Sequence, residues 1–178
     1  MCACVCVNSL LFLVQTWADQ ETRRNTLIAN WEHMSSQAKT KLQVPKVVRG
    51  WTSKPHIKLR GVPRSQRMID IINTAWEVKL QQSPVELLEQ DMSTDFWCDL
   101  SQCISRSPWF TGTLRTLTTS SIIYSFERGL VLTGSDHMRL QGWPDRFLRG
   151  TPESDLQQLA GEGTSLPLVW DDGNGDVL

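Results

Sequence analysis

The sequence predicts a mixed fold of the α/β class, an α+β arrangement in which helices surround a small group of short strands. Two helices are predicted in the first half, because residues 15 to 42 and Met68 to Leu80 carry apolar side chains at helical spacing. Residues 96 to 131 are predicted to form short strands, most clearly in the β-branched and aromatic run from Ser120 to Phe126. Capping residues predict two more helices near the end of the chain.

The length and composition indicate a folded chain of about one domain. It has 178 residues, of which 40% are hydrophobic, and eight of them are tryptophan. Such a composition can bury a core, which argues against a largely disordered chain. We divide it into residues 1–67, with an N-terminal helix and a basic loop region, and residues 68–178, a more regular C-terminal region.

Charge is segregated along the chain although the net charge is only -1. Between His33 and Ile69 there are nine basic residues and no acidic one. They are Lys39, Lys41, Lys46, Arg49, Lys54, Lys58, Arg60, Arg64 and Arg67. This pattern indicates either a surface that contacts the phosphates of a nucleic acid, with Lys54, Lys58 and Arg60 as candidates, or a solvated basic loop.

The first residues do not have the pattern of a membrane or secretory segment. The apolar run from Val5 to Val14 is shorter than the roughly 20 residues that cross a bilayer, and no basic residue precedes it. We interpret it as a buried strand or the start of a helix. The five cysteines match no zinc-binding pattern, and their odd number argues against a secreted disulfide framework. A nuclear or cytoplasmic location without membrane association is therefore expected.

Proline and glycine divide the middle of the chain. Residues 43 to 66 are predicted to form a loop region because they contain three prolines and two glycines. Ser83 and Pro84, followed by Glu86, predict the start of a short third helix.

Two strong helix starts define the C-terminal third. Thr133 is a good N-cap with Asp136 three residues later, so a helix is predicted from about Gly134 to Gln141, ended by Gly142 and Pro144. Thr151, followed by Pro152, predicts a second helix that runs to Ala160 and stops at Gly161. The apolar run from Ser165 to Trp170 is expected to dock as a strand or to open a further helix.

The same two segments carry a family resemblance. Residues 132 to 144, L-T-G-S-D-H-M-R-L-Q-G-W-P, resemble the ninth motif of the cytosine-5 DNA methyltransferases, which reads L-T-x-x-E-x-x-R-L-Q-G-F-P. Residues 158 to 167, Q-L-A-G-E-G-T-S-L-P, are similar to the tenth motif, with Glu162 in place of the usual Asn. Gly61 to Arg67 resembles the eighth motif more distantly and is otherwise a basic turn. The positions that carry the ninth motif are Thr133, Asp136, Arg139, Gln141, Gly142 and Pro144. Asp136 stands where the family usually has Glu, and Trp143 where it usually has Phe.

The resemblance implies the C-terminal part of a Rossmann-like methyltransferase with a small, irregular, β-rich recognition region. In that family the region between the eighth and ninth motifs, here about residues 68 to 127, recognises DNA. Arg106, Arg115 and Arg128 are then candidate DNA contacts. Gly161, Glu162 and Gly163 correspond to a segment beside the S-adenosylmethionine pocket.

The residues that perform the family's chemistry are missing. None of the eight prolines precedes a cysteine, so the Pro-Cys nucleophile is absent, and no glycine-rich turn follows an early strand. We therefore assign no catalytic residue and expect S-adenosylmethionine to bind only in a complete or complemented enzyme. Three hypotheses remain: part of a methyltransferase that needs a catalytic half carrying Pro-Cys, a non-catalytic nucleic-acid-binding module, or a degenerate protein-interaction domain.

Overall fold

The structure is a computed structural model that describes the backbone of residues 3–44, 50–83 and 89–163, and side chains from residue 19 onward within those ranges except that of Glu89. It divides the chain into two compact units, residues 1–46 and residues 47–178. The boundary between residues 67 and 68, which we proposed from the sequence to separate the N-terminal and C-terminal regions, stays a prediction.

The first unit is built on one long helix, α1, from Ala3 to Lys41. The run from Val5 to Val14 lies in the first part of α1, so of its two interpretations the start of a helix is confirmed and the strand was wrong. Lys39 and Lys41 lie in the last turn, where positive charge interacts favourably with the helix dipole. Among the described helices, none combines the length and apolar character that a membrane span requires.

The second unit has an α+β architecture, so the coarse fold prediction is confirmed. Its helices are α2 (Pro55–Leu59), α3 (Gln66–Gln82), α4 (Glu89–Ser93), α5 (Gly134–Leu140) and α6 (Glu153–Glu162). Short 3-10 turns occur at Trp51–Ser53, Ile104–Arg106 and Asp145–Phe147. Its strands are β1 (Phe96–Asp99), β2 (Trp109–Thr111), β3 (Ile123–Ser125) and β4 (Leu130–Val131). They form an antiparallel sheet in the order β2-β1-β3-β4.

An aromatic core covers one face of the sheet. Side chains alternate between the faces of a strand, so Phe96 and Cys98 of β1 lie on this face. Phe126 stacks on Phe96 with ring centroids 4.4 Å apart and on Trp76 of α3 at 5.7 Å. Trp51 completes the cluster, 4.4 Å from the Trp76 ring. Each fully buried side chain of this size stabilises the fold by about 2 kcal/mol.

The opposite face of the sheet packs against the C-terminal helices. Its core consists of buried side chains from the sheet, from α5 and α6 and from the segments between them: Leu117, Ile123, Leu132, Met138, Leu148, Leu156 and Ala160. Trp97 and Phe110 of β1 and β2 pack against this cluster. The sheet is therefore the middle layer of the second unit, and the segments that resemble the family motifs occupy one side of it.

Two predictions in the middle of the chain need correction. Residues 43 to 66 are not simply a loop, because α2 and a 3-10 turn lie within them, and Pro55 occupies the first turn of α2 where its missing N–H costs nothing. The predicted buried face of α3 holds for Ile71, Ile72 and Trp76, but Leu80 is 40% exposed. The proposed helix start at Pro84 and the proposed strand from Ser165 to Trp170 lie outside the described residues.

Candidate nucleic-acid interface

A tight turn after β3 brings two predicted DNA contacts together. Gly129 has φ +65 and its N–H donates to the Ser125 carbonyl at 2.8 Å. A Cβ at Gly129 would lie 2.7 Å from Cδ1 of Ile57, so only glycine lets the turn approach α2 this closely. As a consequence, Arg128 is presented directly beside the C-terminal end of α2.

The contact between α2 and this turn brings Arg60 and Arg128 together, with Lys58 nearby on α2. Arg60 Nη1 donates to the Arg128 carbonyl at 2.7 Å. The side chains of Arg60 and Arg128 are exposed, as is that of Lys58, two residues before Arg60. Sequence spacing alone gave no reason to place Arg128 next to Arg60, which is 68 residues earlier. These three residues, the Arg60 cluster, form the strongest candidate surface for phosphate.

Arg128 is also one end of a chain of charges on α5. Its Nη1 lies 3.0 Å from Asp136 Oδ1, and Arg139 Nη1 lies 3.4 Å from the same oxygen. Arg139 Nε in turn donates to Asp145 at 2.8 Å. Asp136 therefore neutralises part of the charge near Arg128, but the Arg128 side chain stays 49% exposed and open to a further anion.

Asp136 also forms a capping box with Thr133 at the start of α5, which confirms the prediction of this box. The Thr133 hydroxyl accepts from the Asp136 N–H at 3.2 Å, and Asp136 Oδ2 accepts from the Thr133 N–H at 3.0 Å. Burial raises the pKa of this carboxyl, but hydrogen bonds from Thr133 and Arg128 outweigh it, so the pKa lies below its ordinary value. The ionised form of Asp136 thus holds the start of α5 and the position of Arg128 together.

The two motif-like helices pack side by side. A Cβ at Gly134 would lie 2.0 Å from the Glu153 carbonyl oxygen, so the beginnings of α5 and α6 touch. At the other end, the Gln141 side-chain amide donates to the Ala160 carbonyl. Gly142, with φ +86, then turns the chain away before Pro144, as predicted.

The predicted second helix is present as α6, which extends two residues beyond its predicted end at Ala160. Its predicted cap was wrong. Pro152, not Thr151, is the N-cap residue of α6, and no side chain caps it. Glu153 instead accepts from the N–H and the hydroxyl of Ser135 at 2.7 and 2.6 Å, which satisfies a free amide in the first turn of α5. These hydrogen bonds lower the pKa of Glu153, a role that its local sequence did not indicate.

The described residues of the segment that corresponds to the tenth motif, 158 to 163, lie in the second half of α6 and at its C-cap. Gly161 lies inside α6, where a Cβ would stand 2.0 Å from the backbone N of Thr119. Glu162 accepts from Gln158 at 3.0 Å on the exposed side of the helix, and Gly163 follows as the C-cap. The absence of a side chain at Gly161 is therefore explained by contact with residues 118 and 119 rather than by room for a cofactor.

The remaining candidate DNA contacts do not join the Arg60 cluster. Lys54 Nζ lies 4.7 Å from the ring centroids of both Trp51 and Trp76, so its ammonium group packs against the aromatic core. Arg115 stacks over Phe110 at 5.4 Å. Arg106 reaches the Gln102 side chain at 3.4 Å.

A smaller basic pair forms around the turn that contains Gln102. Arg67 Nη2 donates to the carbonyls of Ser101 and Gln102 at 3.1 and 2.9 Å. The carbonyl and side chain of Gln102 thus bring Arg67 close to Arg106. Arg67 was included only in the general basic stretch, and its position beside Arg106 depends on a contact between distant segments.

The two described thiols that lie near the sheet have different environments. Cys98 is fully buried, and burial raises the pKa of its thiol, so it stays protonated. Cys103 is partly exposed, and a hydrogen bond with the Ser105 hydroxyl at 2.9 Å lowers its pKa. The charge of Arg106 also lowers the pKa of Cys103, but this cysteine does not follow a proline as the family's nucleophile does.

Comparison of the chain with protein-family models, with curated proteins and with solved structures gives no match.

Proposed function

We propose that this chain is the C-terminal part of an S-adenosylmethionine-dependent DNA (cytosine-5) methyltransferase, carrying DNA recognition and the last two motifs, and inactive by itself. The observation that carries the proposal is the pairing of α5 with α6. The residues that match the ninth motif are the ones that build it: Thr133 and Asp136 form the capping box, and Gln141 reaches the Ala160 carbonyl. Two motif-like segments used in one packing arrangement support a common origin with that family.

In this proposal the Rossmann-like sheet and the methyl donor belong to a catalytic half that carries the Pro-Cys nucleophile. The described strands are antiparallel and short, and a dinucleotide-type donor site needs a parallel sheet with a glycine-rich turn. The contribution of this chain is then to contact DNA, for which the Arg60 cluster is the best candidate.

A non-catalytic nucleic-acid-binding module is the second candidate function. The lack of any Pro-Cys dipeptide in the chain favours it. Both candidates require DNA binding, and they differ in whether a separate catalytic half restores methyl transfer.

The purified chain is expected to transfer no methyl group from labelled S-adenosylmethionine to cytosine-containing duplex DNA. The nucleophile that must attack the ring is missing, and Cys98 is buried with a raised pKa. Incorporation of label above a reaction without protein would contradict this. Label that appears only after a Pro-Cys-containing half is added would favour the methyltransferase over the binding module.

Duplex DNA is expected to bind the chain through the Arg60 cluster with strong salt dependence. Three phosphate contacts give a slope of about -3 when the logarithm of the binding constant is plotted against that of the salt concentration. The double change Lys58→Glu and Arg60→Glu should remove most of the binding, measured by fluorescence anisotropy at several salt concentrations.

The control for this experiment is the double change Arg23→Glu and Arg24→Glu, which alters net charge equally at two exposed positions of α1. Binding should survive it. Equal losses in both variants would mean that only net charge matters and would overturn the assignment of the surface. Lys54 is left unchanged, because its contacts with Trp51 and Trp76 would confuse a loss of binding with a loss of stability.

A further inference from the structure

A cavity of about 350 Å³ lies beside the Arg60 cluster, between α2, α4 and the turn after β3. Its apolar floor is formed by Trp51, Ile57 and Phe126, all of which are almost completely buried. The Trp51 indole N–H donates to the Tyr124 hydroxyl at 2.7 Å, which fixes the orientation of the ring. The floor is therefore a preformed part of the core rather than a surface that has to be ordered by a ligand.

The rim of this cavity holds polar groups that no described residue pairs with. Arg60 and Glu127 both line it, yet they form no ion pair with each other. Arg60 donates one of its N–H groups to the Arg128 carbonyl. Glu127 makes no hydrogen bond or ion pair within the described part of the chain. The side-chain amide of Gln90 also lines the cavity without a hydrogen bond to any described residue.

Two opposite charges that form no ion pair with any described residue restrict the ligand of this cavity, which His56 and Ser93 also line. A simple anion would be repelled by Glu127, a simple cation by Arg60, and an apolar molecule would cover polar groups without replacing their hydrogen bonds to water. A nucleotide satisfies both charged groups, since its base offers N–H donors to a carboxylate and its phosphate accepts from a guanidinium. The volume is near the lower end of ligand pockets, which suits one base rather than a base pair.

We propose that this cavity binds one unpaired nucleobase, with Glu127 accepting from its N–H groups and Arg60 contacting the adjoining phosphate. The proposal rests on the proposed DNA-binding function and gives that surface a specific ligand. Guanine fits best, because its ring N–H and amino group can donate side by side to the two oxygens of one carboxylate. Thymine has a single N–H between two carbonyl oxygens, which Glu127 repels, so it fits worst.

The test is a calorimetric titration of the full chain. The ligands are the four deoxynucleoside monophosphates and inorganic phosphate, each titrated separately. Deoxyguanosine monophosphate should bind at least tenfold more tightly than thymidine monophosphate or phosphate. Glu127→Gln should weaken guanine binding about tenfold. It should not weaken the binding of thymidine monophosphate or phosphate, because the variant removes the carboxylate that repels both. Asp155→Asn, at an exposed carboxyl of α6, is the control and should change none of them.

A second set of titrations identifies the source of the base. A duplex with one unpaired guanine should bind more tightly than the fully paired duplex, and Glu127→Gln should abolish only that difference. A preference for free deoxyguanosine monophosphate without any affinity for DNA would support the cavity and overturn the proposed function. A third outcome is that the double variant Lys58→Glu and Arg60→Glu weakens duplex binding whereas Glu127→Gln does not. This would support the proposed DNA-binding function and overturn the proposal that the cavity binds a base. Equal affinity for phosphate and for every nucleotide would also overturn it.

Discussion

Replacement of Gly161 by alanine is expected to lower the free energy of unfolding by about 3 kcal/mol, because overpacking of a closed contact costs this much. The new Cβ would meet the Thr119 nitrogen at 2.0 Å and the Thr118 carbonyl carbon at 2.3 Å. Both are backbone atoms, which cannot rotate away as a flexible side chain can. Chemical denaturation monitored by circular dichroism would measure the change.

This experiment separates packing from helix propensity, because the two predict opposite signs. Alanine inside a helix is normally more stable than glycine by about 0.5–1 kcal/mol. Stabilisation in Gly161→Ala would therefore contradict the observed contact of α6 with residues 118 and 119. Ser154→Ala, at an exposed position of the same helix, is the matched control and should change stability by less than about 0.5 kcal/mol.

Asp136→Asn is expected to have the second large effect, a loss of about 2–3 kcal/mol in the free energy of unfolding. The carboxylate accepts hydrogen bonds from Thr133, Arg128 and Arg139 at once, and charged hydrogen bonds contribute more than neutral ones. An amide keeps the size of the side chain but loses the charge and one acceptor. Asp145→Asn is the control, since that carboxyl is largely exposed and bonds only Arg139 among the described residues.

The loss in Asp136→Asn should depend on pH in a defined direction. The pKa of Asp136 is lower in the folded protein than its ordinary value of 3.8. Its ionised form therefore stabilises the fold fully above about pH 4, and this contribution is lost as the pH falls through the folded pKa. The difference between wild type and variant should shrink in acid, and a difference that stays constant to pH 2 would contradict the assigned role.

A second group makes the wild-type protein itself sensitive to acid at a higher pH. His137 is 1% exposed, and neither ring nitrogen has a hydrogen-bond partner among the described residues. Burial lowers the pKa of this imidazole below its ordinary 6.5. Stability should therefore fall as the pH drops below about 6.5 in both proteins. The Asp136 carboxylate raises the pKa of His137 against the effect of burial, so in Asp136→Asn the fall should continue to lower pH than in wild type.

Helix starts illustrate how far local sequence reaches. The cap at Thr133 was predicted correctly because a capping box joins residues only three positions apart. Both partners, Thr133 and Asp136, therefore lie in one short segment of the sequence. Thr151 was predicted from a different local signal, a hydroxyl residue followed by Pro152, and it does not cap α6. The difference comes from Glu153, whose carboxylate is held by Ser135 of the neighbouring helix, a contact that depends on how α5 and α6 pack.

The sequence by itself determined the mixed fold, the position of α3 and the capping box at the start of α5. Apolar periodicity and helix capping both depend on residues a few positions apart, so they can be recognised without the tertiary structure. Only the tertiary structure decided which basic residues meet. Lys54, Lys58 and Arg60 are close in sequence, yet the first packs on tryptophan and the last joins Arg128 from 68 residues away. A charge pattern shows only which basic residues are close along the chain. Contacts with phosphates and bases depend on which side chains share a surface. For Arg60 and Arg128 this is decided by the packing of the turn at Gly129 against α2.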